Sequence, residues 1–222
     1  MAKAEPDKRQ FSPKEVLEDI EARMPQEVAR LYHSVWADVV QVHFVWQSYA
    51  QLYGSDDSIK VLNSCASSFF ARLQRSLYAE LVLRIARLAD PAKSGPGRRD
   101  NASFFRLADA VREAGDAALA DQLKCAAETF KGTARAISVV RHRQIAHRDL
   151  NVALRVEPLL AVTSGQIEDA LRCARSFMHI VEGKYLGSMT GYEHAVEAGG
   201  ADHLLFWLRE GIAHQECRGP GR

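Results

Sequence analysis

Two long apolar stripes at helical spacing constrain the fold of this chain more than any other feature of its sequence. From about Pro25 to Gly54, and again from about Ser58 to Leu88, an apolar side chain recurs every three or four residues. Such spacing is typical of one face of an α-helix. The polar residues 55–58 can cap a helix and leave only a short turn between the stripes. We therefore predict two antiparallel helices of about 28 to 32 residues each. The stripes consist of Val28, Leu31, Val35, Val39, Val42, Trp46 and Tyr49, and of Ile59, Leu62, Ala66, Phe69, Leu73, Leu77, Leu81, Ile85 and Leu88.

Five shorter helical patterns lie around this predicted hairpin. Each starts at a residue that caps helices well or at a proline tolerated in the first turn. In the third pattern the apolar spacing from Leu119 to Ile137 continues to Arg141 and Ile145, so we predict one uninterrupted helix there. The five patterns run from Ser12 to Arg23, from Asn101 or Ser103 to Gly115, from Asp116 onwards, from Thr163 or Ser164 to Tyr185, and from Asp202 to Ala213.

Loops and tails complete the predicted organisation. Residues 92–100 combine glycine, proline and basic side chains, which indicates an exposed loop. Residues 152–162 show no helical spacing and are irregular or briefly extended. The sequence has no convincing strand and no internal repeat. It predicts an all-α, up-and-down helical bundle with peripheral short helices, forming one domain at 11–214 between flexible tails at 1–10 and 215–222.

Composition excludes several classes of protein. The chain has 29 Lys and Arg against 28 Asp and Glu, so a nucleic-acid contact would need a local basic patch. Its four cysteines are far apart in sequence, which indicates reduced thiols in a cytoplasmic protein and argues against a zinc site. No apolar run approaches the roughly 18 residues of a membrane span. The first ten residues lack the apolar core of a secretion signal.

The ten residues from Arg141 to Leu150 form the candidate functional motif. They contain three arginines, two histidines and one carboxylate. Histidine has an unperturbed pKa near physiological pH, so His147 can take and return a proton. Arginine offers planar, permanently charged donors that match phosphate oxygens. These groups suffice for metal-independent cleavage of RNA, and we expect neither a metal nor a cofactor.

The spacing within the motif raises a geometric problem. In a regular α-helix Arg143 and His147 are one turn apart and share a face. Arg141 is six residues from His147 and points about 120° away, onto the apolar stripe. An arginine there must meet a carboxylate, line a wet cleft or face a symmetry mate, because burying it unpaired is costly. Joint contact of Arg141 and His147 with one phosphate requires a distorted helix end or a cleft between helices.

The same residues also have purely structural interpretations. Cations at a helix end interact favourably with the helix dipole, at about 0.3–1 kcal/mol each, and Asp149 can pair with a nearby arginine. Arg84, Arg87 and Asp90 either border the same cleft, with Asp90 pairing a motif arginine, or form a local ion pair three residues apart. Three tryptophans can stack on bases, but their apolar patterns favour core or dimer packing. These are Trp36, Trp46 and Trp207.

The motif resembles that of the HEPN superfamily. Arg141, the polar His142 and the later Ala146-His147 fit its pattern of an arginine, four to six residues, and a histidine at a helix end. The abortive-infection, AbiU-type branch is the closer likeness, because His147 is followed by Arg-Asp. The segments Arg-Leu-Ala-Asp-Pro at 87–91 and Asn-Ala-Ser at 101–103 also resemble that branch. The resemblance covers residues 25 to 190.

The resemblance implies a helical bundle that forms a homodimer, in which paired motifs meet at a cleft and cleave RNA without a metal. Arg141 and His147 would be the catalytic pair, supported by His142, Arg143 and Asp149. Phage-defence or toxin–antitoxin membership adds an antitoxin protein as a candidate partner. Some members carry a tyrosine, modified by a partner nucleotidyltransferase, where this chain has Asp149. Others have lost activity, so the alternative is a non-catalytic helical dimer that binds nucleotide, nucleic acid or a protein partner.

Overall fold

The computed structural model describes residues 12–95, 97, 99–146, 161–194 and 199–218. The described part of the chain is built almost entirely of helices, as predicted. The helices are α1 (Pro13–Glu21), α2 (Gln26–Tyr53), α3 (Asp56–Leu88), α4 (Phe104–Glu113), α5 (Ala117–Thr133), α6 (Arg135–Val140), a π-helix (Arg141–Ala146), α7 (Ser164–Tyr185), a 3₁₀ turn (Tyr192–His194) and α8 (Ala201–Arg218); two short strands are β1 (Lys93–Ser94) and β2 (Arg99–Asp100).

The predicted long hairpin is confirmed. Helix α2 has 28 residues and α3 has 33, and the two pack along each other. The hydroxyl of Ser55 accepts the backbone N–H of Ser58 at 3.1 Å, which caps α3 as the sequence indicates. The valines of the α2 stripe are fully buried within the single chain. One polypeptide therefore covers these valines, whereas Leu31, Trp46 and Tyr49 of the same stripe are only partly buried.

Helix α3 is kinked, which its unbroken apolar spacing does not reveal. Ala66 has φ −159° and ψ 66°, outside the helical region. Beyond the kink the buried side chain is Phe70, and the predicted stripe residues Ala66 and Phe69 are exposed. The kink thus changes which side chains face inward. The early part of α3 packs with α8 in a small cluster, whereas its later part belongs to the main core.

The main core lies between α2, the later part of α3, α4, α5, α6 and α7. Three fully buried phenylalanines connect α4, α5 and α7, since the ring centroid of Phe104 lies 4.8 Å from that of Phe130 and 4.1 Å from that of Phe177. Each such side chain contributes about 1.5–3 kcal/mol when buried. The core therefore holds α4 and α5 against α2 and α7, while α6, which leads into the motif, packs on α3.

The segment 92–100 contains a small strand pair, so the prediction of no strands is wrong at this point. Lys93 pairs with Asp100 and Ser94 with Arg99 in antiparallel register. Asn101 closes the loop, because its side-chain amide donates to the Pro91 carbonyl at 2.7 Å and its backbone N–H to Ala92 at 2.9 Å. A ladder of two residues is too short to leave a periodic pattern in the sequence. Of the two caps predicted for α4, the structure uses Ser103.

The predicted uninterrupted helix from Asp116 is divided into three. Helix α5 ends before Ala134, whose φ of −80° and ψ of 3° lie off the helical values, and α6 follows at once. From Arg141 the helix changes to the wider π form. The apolar stripe correctly identifies the buried face, including Leu123 and Ile137. Apolar spacing does not report the hydrogen-bonding period of each turn, and for this reason the breaks were not predicted.

The last two long helices agree with the sequence in place but not entirely in length. Thr163 and Gln166 form a capping box at the start of α7. Helix α8 continues to Arg218, beyond the predicted end at Ala213, so the predicted tail at 215–222 is helical over its first residues. Within the residues that the structure describes, no helix is long and apolar enough to cross a membrane.

Candidate functional site

The first half of the candidate motif forms the π-helix, which packs against α3. Helix α6 leads into it with the buried side chains Ile137 and Val140. A π-helix bonds each residue to the fifth one along and occurs often at functional sites. His147 and Asp149 lie outside the described residues. The predicted one-turn relation between Arg143 and His147 therefore stays a prediction.

Arg141 is held by a carboxylate from another helix end. Its Nη1 donates to Oδ1 of Asp90 at 2.7 Å, and the two side chains are 30% and 28% exposed. Asp90 follows the last turn of α3, where its N–H bonds to the Arg87 carbonyl and the next residue is Pro91. Charge-assisted pairs of this kind are stronger than neutral hydrogen bonds. The expectation that an arginine on the stripe must meet a carboxylate is thus met by Asp90.

Arg84 and Arg87 share a second carboxylate, Asp38 of α2. Oδ1 of Asp38 accepts from Arg84 Nη1 at 2.8 Å and from Arg87 Nη2 at 2.9 Å. Arg84 also donates through Nε to Glu80 at 2.8 Å. The alternative of a local pair between Arg87 and Asp90 is therefore wrong. Asp38 was missed because it is 46 residues from Arg84 in sequence and occupies an ordinary polar position of α2.

These contacts define an arginine cluster at the end of α3, made of Arg84, Arg87 and Arg141 with Asp38 and Asp90. Among the described residues, these carboxylates accept from only some of the five N–H donors of each arginine and hold the guanidinium planes in place. Beside the cluster, His142 is exposed and Arg143 is half-buried. A cluster of this kind can bind a phosphate in a fixed orientation. The proton transfer that the sequence analysis assigns to His147 stays a prediction.

A second polar cluster, unpredicted from sequence, surrounds the carboxylate of Glu182 on α7. Glu182 is fully buried, and its Oε1 accepts from the hydroxyls of Tyr32 at 3.0 Å and Tyr192 at 2.5 Å. Its Oε2 accepts the backbone N–H of Thr190 at 2.9 Å. Burial raises the pKa of both tyrosines well above their ordinary value. The one signal in the sequence is a glutamate four residues after Met178, on the apolar stripe of α7.

His43 and Arg175 form a third polar contact, between α2 and α7. His43 Nδ1 lies 2.7 Å from the Val39 carbonyl, which only accepts, so we infer that Nδ1 carries the proton. The other ring nitrogen then accepts from Arg175 Nη1 at 3.2 Å. Burial lowers the pKa of His43, so the ring is neutral at neutral pH. Arg175 Nε also lies 3.5 Å from a carboxylate oxygen of Glu193.

The three tryptophans have different surroundings. Trp36 and Trp46 are half-buried and pack against the main core, as their apolar patterns favour. Trp46 also lines a cavity of about 720 Å³ between α2, α7 and the 3₁₀ turn. Trp207 of α8 is exposed. Among the residues that the structure describes, no group of three His, Cys, Asp or Glu side chains could hold a metal ion.

Comparison with known proteins places the chain in a family. The family model HEPN_AbiU2, described as AbiU2, matches residues 25–203. This range includes both long helices and the whole candidate motif. No curated protein and no solved structure matches the chain.

Proposed function

We propose that this chain, which belongs to the HEPN AbiU2 family and is thus an abortive-infection HEPN-type protein, is a metal-independent endoribonuclease of a phage-defence or toxin–antitoxin system. The observation that carries the proposal is the Arg141–Asp90 pair at the start of a π-helix. An arginine held by a carboxylate, half exposed and at a distorted helix end, is suited to binding a phosphate. The distorted end is also what joint action of Arg141 and His147 requires.

In the proposed reaction, His147 accepts the proton of a ribose 2′-hydroxyl as its oxygen attacks the adjacent phosphorus. The bond from the 2′-oxygen to phosphorus forms, the bond from phosphorus to the 5′-oxygen breaks, and the leaving 5′-oxygen takes up a proton from water. The products are a 2′,3′-cyclic phosphate and a 5′-hydroxyl. Arg141 stabilises the negative charge that develops on the phosphate oxygens. Asp90 is a positioning residue, because it touches Arg141 and not the RNA.

A homodimer is part of the proposal for an electrostatic reason. Within one chain, Asp38 and Asp90 balance much of the charge of the three clustered arginines. A second copy across a two-fold axis would bring a second Arg141 and His147 to the same phosphate backbone. Val139, two residues before Arg141, is a partly exposed apolar side chain beside the motif that such contact would cover. An antitoxin protein is a further proposed partner.

The same pair supports a second candidate function. An arginine already bonded to a carboxylate can serve packing and ligand binding without any proton transfer. A non-catalytic dimer that binds nucleotide, nucleic acid or protein at this cleft would therefore use Arg141 and Asp90 but not depend on His147.

Cleavage of RNA in the presence of EDTA separates these candidates. The wild-type protein should cleave, and His147→Ala should lose about 10²–10⁴-fold in turnover, the usual contribution of positioned acid–base catalysis. Arg141→Ala should also lose turnover, and Arg141→Lys should restore little because lysine lacks the planar fork. The matched control is Arg209→Ala, which breaks an exposed Arg–Asp pair with Asp57 at the opposite end of α3.

Each variant is checked for folding by circular dichroism. Expression of wild type beside His147→Ala adds a test of toxicity in cells. Full activity of His147→Ala, or loss of wild-type activity in EDTA, would contradict the nuclease mechanism. If the wild-type protein binds RNA without cleaving it and His147→Ala binds RNA equally well, the non-catalytic binding function is supported.

A further inference from the structure

The cavity between α2, α7 and the 3₁₀ turn is not used by the proposed nuclease. Its volume of about 720 Å³ is within the usual range of small-molecule sites, roughly 300–1,000 Å³. Neither the arginine cluster nor the described part of the motif lines it. It is walled by Trp46 and Gln47 of α2, by Arg172 and Arg175 of α7, and by Glu193 of the turn.

The guanidinium of Arg175 is fixed at the wall of this cavity. Its Nη1 donates to the buried ring of His43 at 3.2 Å, and its Nε lies 3.5 Å from Glu193. The ring of His43 is fixed in turn by the Val39 carbonyl. Because a guanidinium has five N–H donors, these two contacts set its plane and leave it capacity for a ligand. The Tyr192 hydroxyl, bonded to Glu182, anchors the turn that carries Glu193.

Charge indicates what kind of ligand would fit. The cavity is lined by two arginines, but also by the carboxylates of Glu168, Asp169 and Glu193. Arg172 is already paired with Asp169. A polyphosphate would therefore meet more negative than positive groups. An uncharged planar heterocycle with both donors and acceptors at its edges suits these walls better, and the indole ring of Trp46 offers a surface for stacking.

We propose that this cavity binds a guanine base stacked on Trp46, with Arg175 donating to O6 and N7 and Glu193 accepting from N1–H and the 2-amino group. Guanine carries these two acceptors and two donors on adjoining edges, and arginine is its commonest specific partner. The neighbouring Arg175 and Glu193 present the complementary donors and acceptors side by side. Adenine has no such pair of donors beside its acceptors, and a pyrimidine offers a smaller stacking surface.

The base can come from a free guanosine nucleotide or from an unpaired guanosine of RNA. Titration calorimetry on the full chain, carrying His147→Ala so that RNA stays intact, distinguishes the two. The probes are guanosine, guanosine monophosphate, adenosine, inosine and a short single-stranded oligoribonucleotide with one guanosine. Tighter binding of the oligoribonucleotide than of the monophosphate, with that difference lost in Trp46→Leu, assigns the cavity to RNA, and tighter binding of the monophosphate assigns it to a free nucleotide. The measurement does not depend on whether the protein cleaves RNA.

Guanosine should bind at least about tenfold more tightly than adenosine, as a bidentate base contact predicts. Trp46→Leu should weaken guanosine binding by at least about tenfold through lost stacking. Glu193→Gln should abolish the preference for guanosine over inosine, which lacks the 2-amino group. Trp207→Leu, at an exposed tryptophan of α8, is the matched control and should bind as before. Equal affinity for guanosine and adenosine, no binding at millimolar concentration, or unchanged affinity in a folded Trp46→Leu protein would overturn the proposal.

Discussion

The arginine cluster at the end of α3 and the buried cluster around Glu182 use similar groups in opposite ways. Glu182 is 0% exposed and satisfied by three neutral donors, two tyrosine hydroxyls and a backbone N–H. Asp90 is 28% exposed and holds Arg141, whose side chain is 30% exposed. A buried group with all its partners in place stabilises one conformation. A half-exposed ion pair contributes little stability but keeps a charged group oriented for a ligand.

We expect the largest loss of stability when the buried cluster around Glu182 is broken. Glu182→Ala removes the acceptor of Tyr32, Tyr192 and Thr190 at once, and each buried donor left unsatisfied costs about 1–3 kcal/mol. We expect a loss of about 3–5 kcal/mol in the free energy of unfolding, measured with urea. Glu182→Gln keeps one carbonyl acceptor and should cost less. The control is Glu128→Ala, an exposed glutamate paired with Lys131, which should change stability by less than about 1 kcal/mol. Equal losses for Glu182→Ala and Glu128→Ala would contradict a structural role for the cluster.

At Asp90 we expect a large loss of activity and a small loss of stability. Asp90→Asn keeps the shape of the side chain but removes the charge that holds Arg141, so kcat for RNA cleavage should fall about tenfold or more, equivalent to about 1.4 kcal/mol. Stability should fall by no more than about 1 kcal/mol, because the pair is half exposed. The measurement combines cleavage kinetics with urea unfolding. Asp57→Asn, which breaks the Asp57–Arg209 pair at the other end of α3, serves as control. If both variants cleave like wild type, Asp90 has no positioning role.

The buried histidine, His43, should make the stability of the folded protein depend on pH. Burial lowers the pKa of His43 in the folded protein, so the unfolded chain binds the proton more readily. Stability is therefore fully present above the unfolded pKa of about 6.5 and decreases as pH falls below it toward the folded pKa. One such group contributes a slope of at most about 1.4 kcal/mol per pH unit. His43→Gln keeps an acceptor for Arg175 and should flatten the slope in urea unfolding between about pH 5 and 8. Identical slopes in the two proteins would show that His43 is not responsible.

How far the sequence predicts the structure also differs between regions. The stripe of α2 predicts its length and its buried valines, because periodicity reports local geometry. The sequence left two options for Asp90, a pair with a motif arginine or a local ion pair within α3. The first was predictable because an arginine on an apolar stripe needs a counterion. The contact of Asp38 with Arg84 and Arg87 spans 46 and 49 residues and depends on how two helices pack. Local patterns carry no information on such distances.

The buried cluster shows the same limit more strongly. Tyr32 and Glu182 are 150 residues apart, and Tyr192 reaches the same oxygen only because the chain turns back after α7. The kink at Ala66 and the π-helix at 141–146 are also invisible in the apolar spacing, which passes through both without a break. These departures lie where α3 meets α8 and where α6 meets the motif. Apolar spacing shows which face is buried, whereas the packing of neighbouring helices determines where a helix bends.

We expect the smallest effect from Arg87→Ala, which tests whether Arg87 of the arginine cluster contacts RNA. Arg87 is 51% exposed and shares Asp38 with Arg84, so Arg87→Ala should change stability by less than about 1 kcal/mol. If Arg87 borders the RNA path, the variant should raise KM and leave kcat nearly unchanged, because a phosphate contact away from the reacting group contributes to binding alone. The slope of log affinity against log salt should decrease by about 0.7, the value for one phosphate contact to a single strand. Arg112→Ala, which removes a similarly exposed arginine of α4 that pairs with Asp121 of α5, is the control and should leave the slope unchanged. An unchanged slope in Arg87→Ala would remove Arg87 from the RNA path and limit its pair with Asp38 to joining α2 with α3.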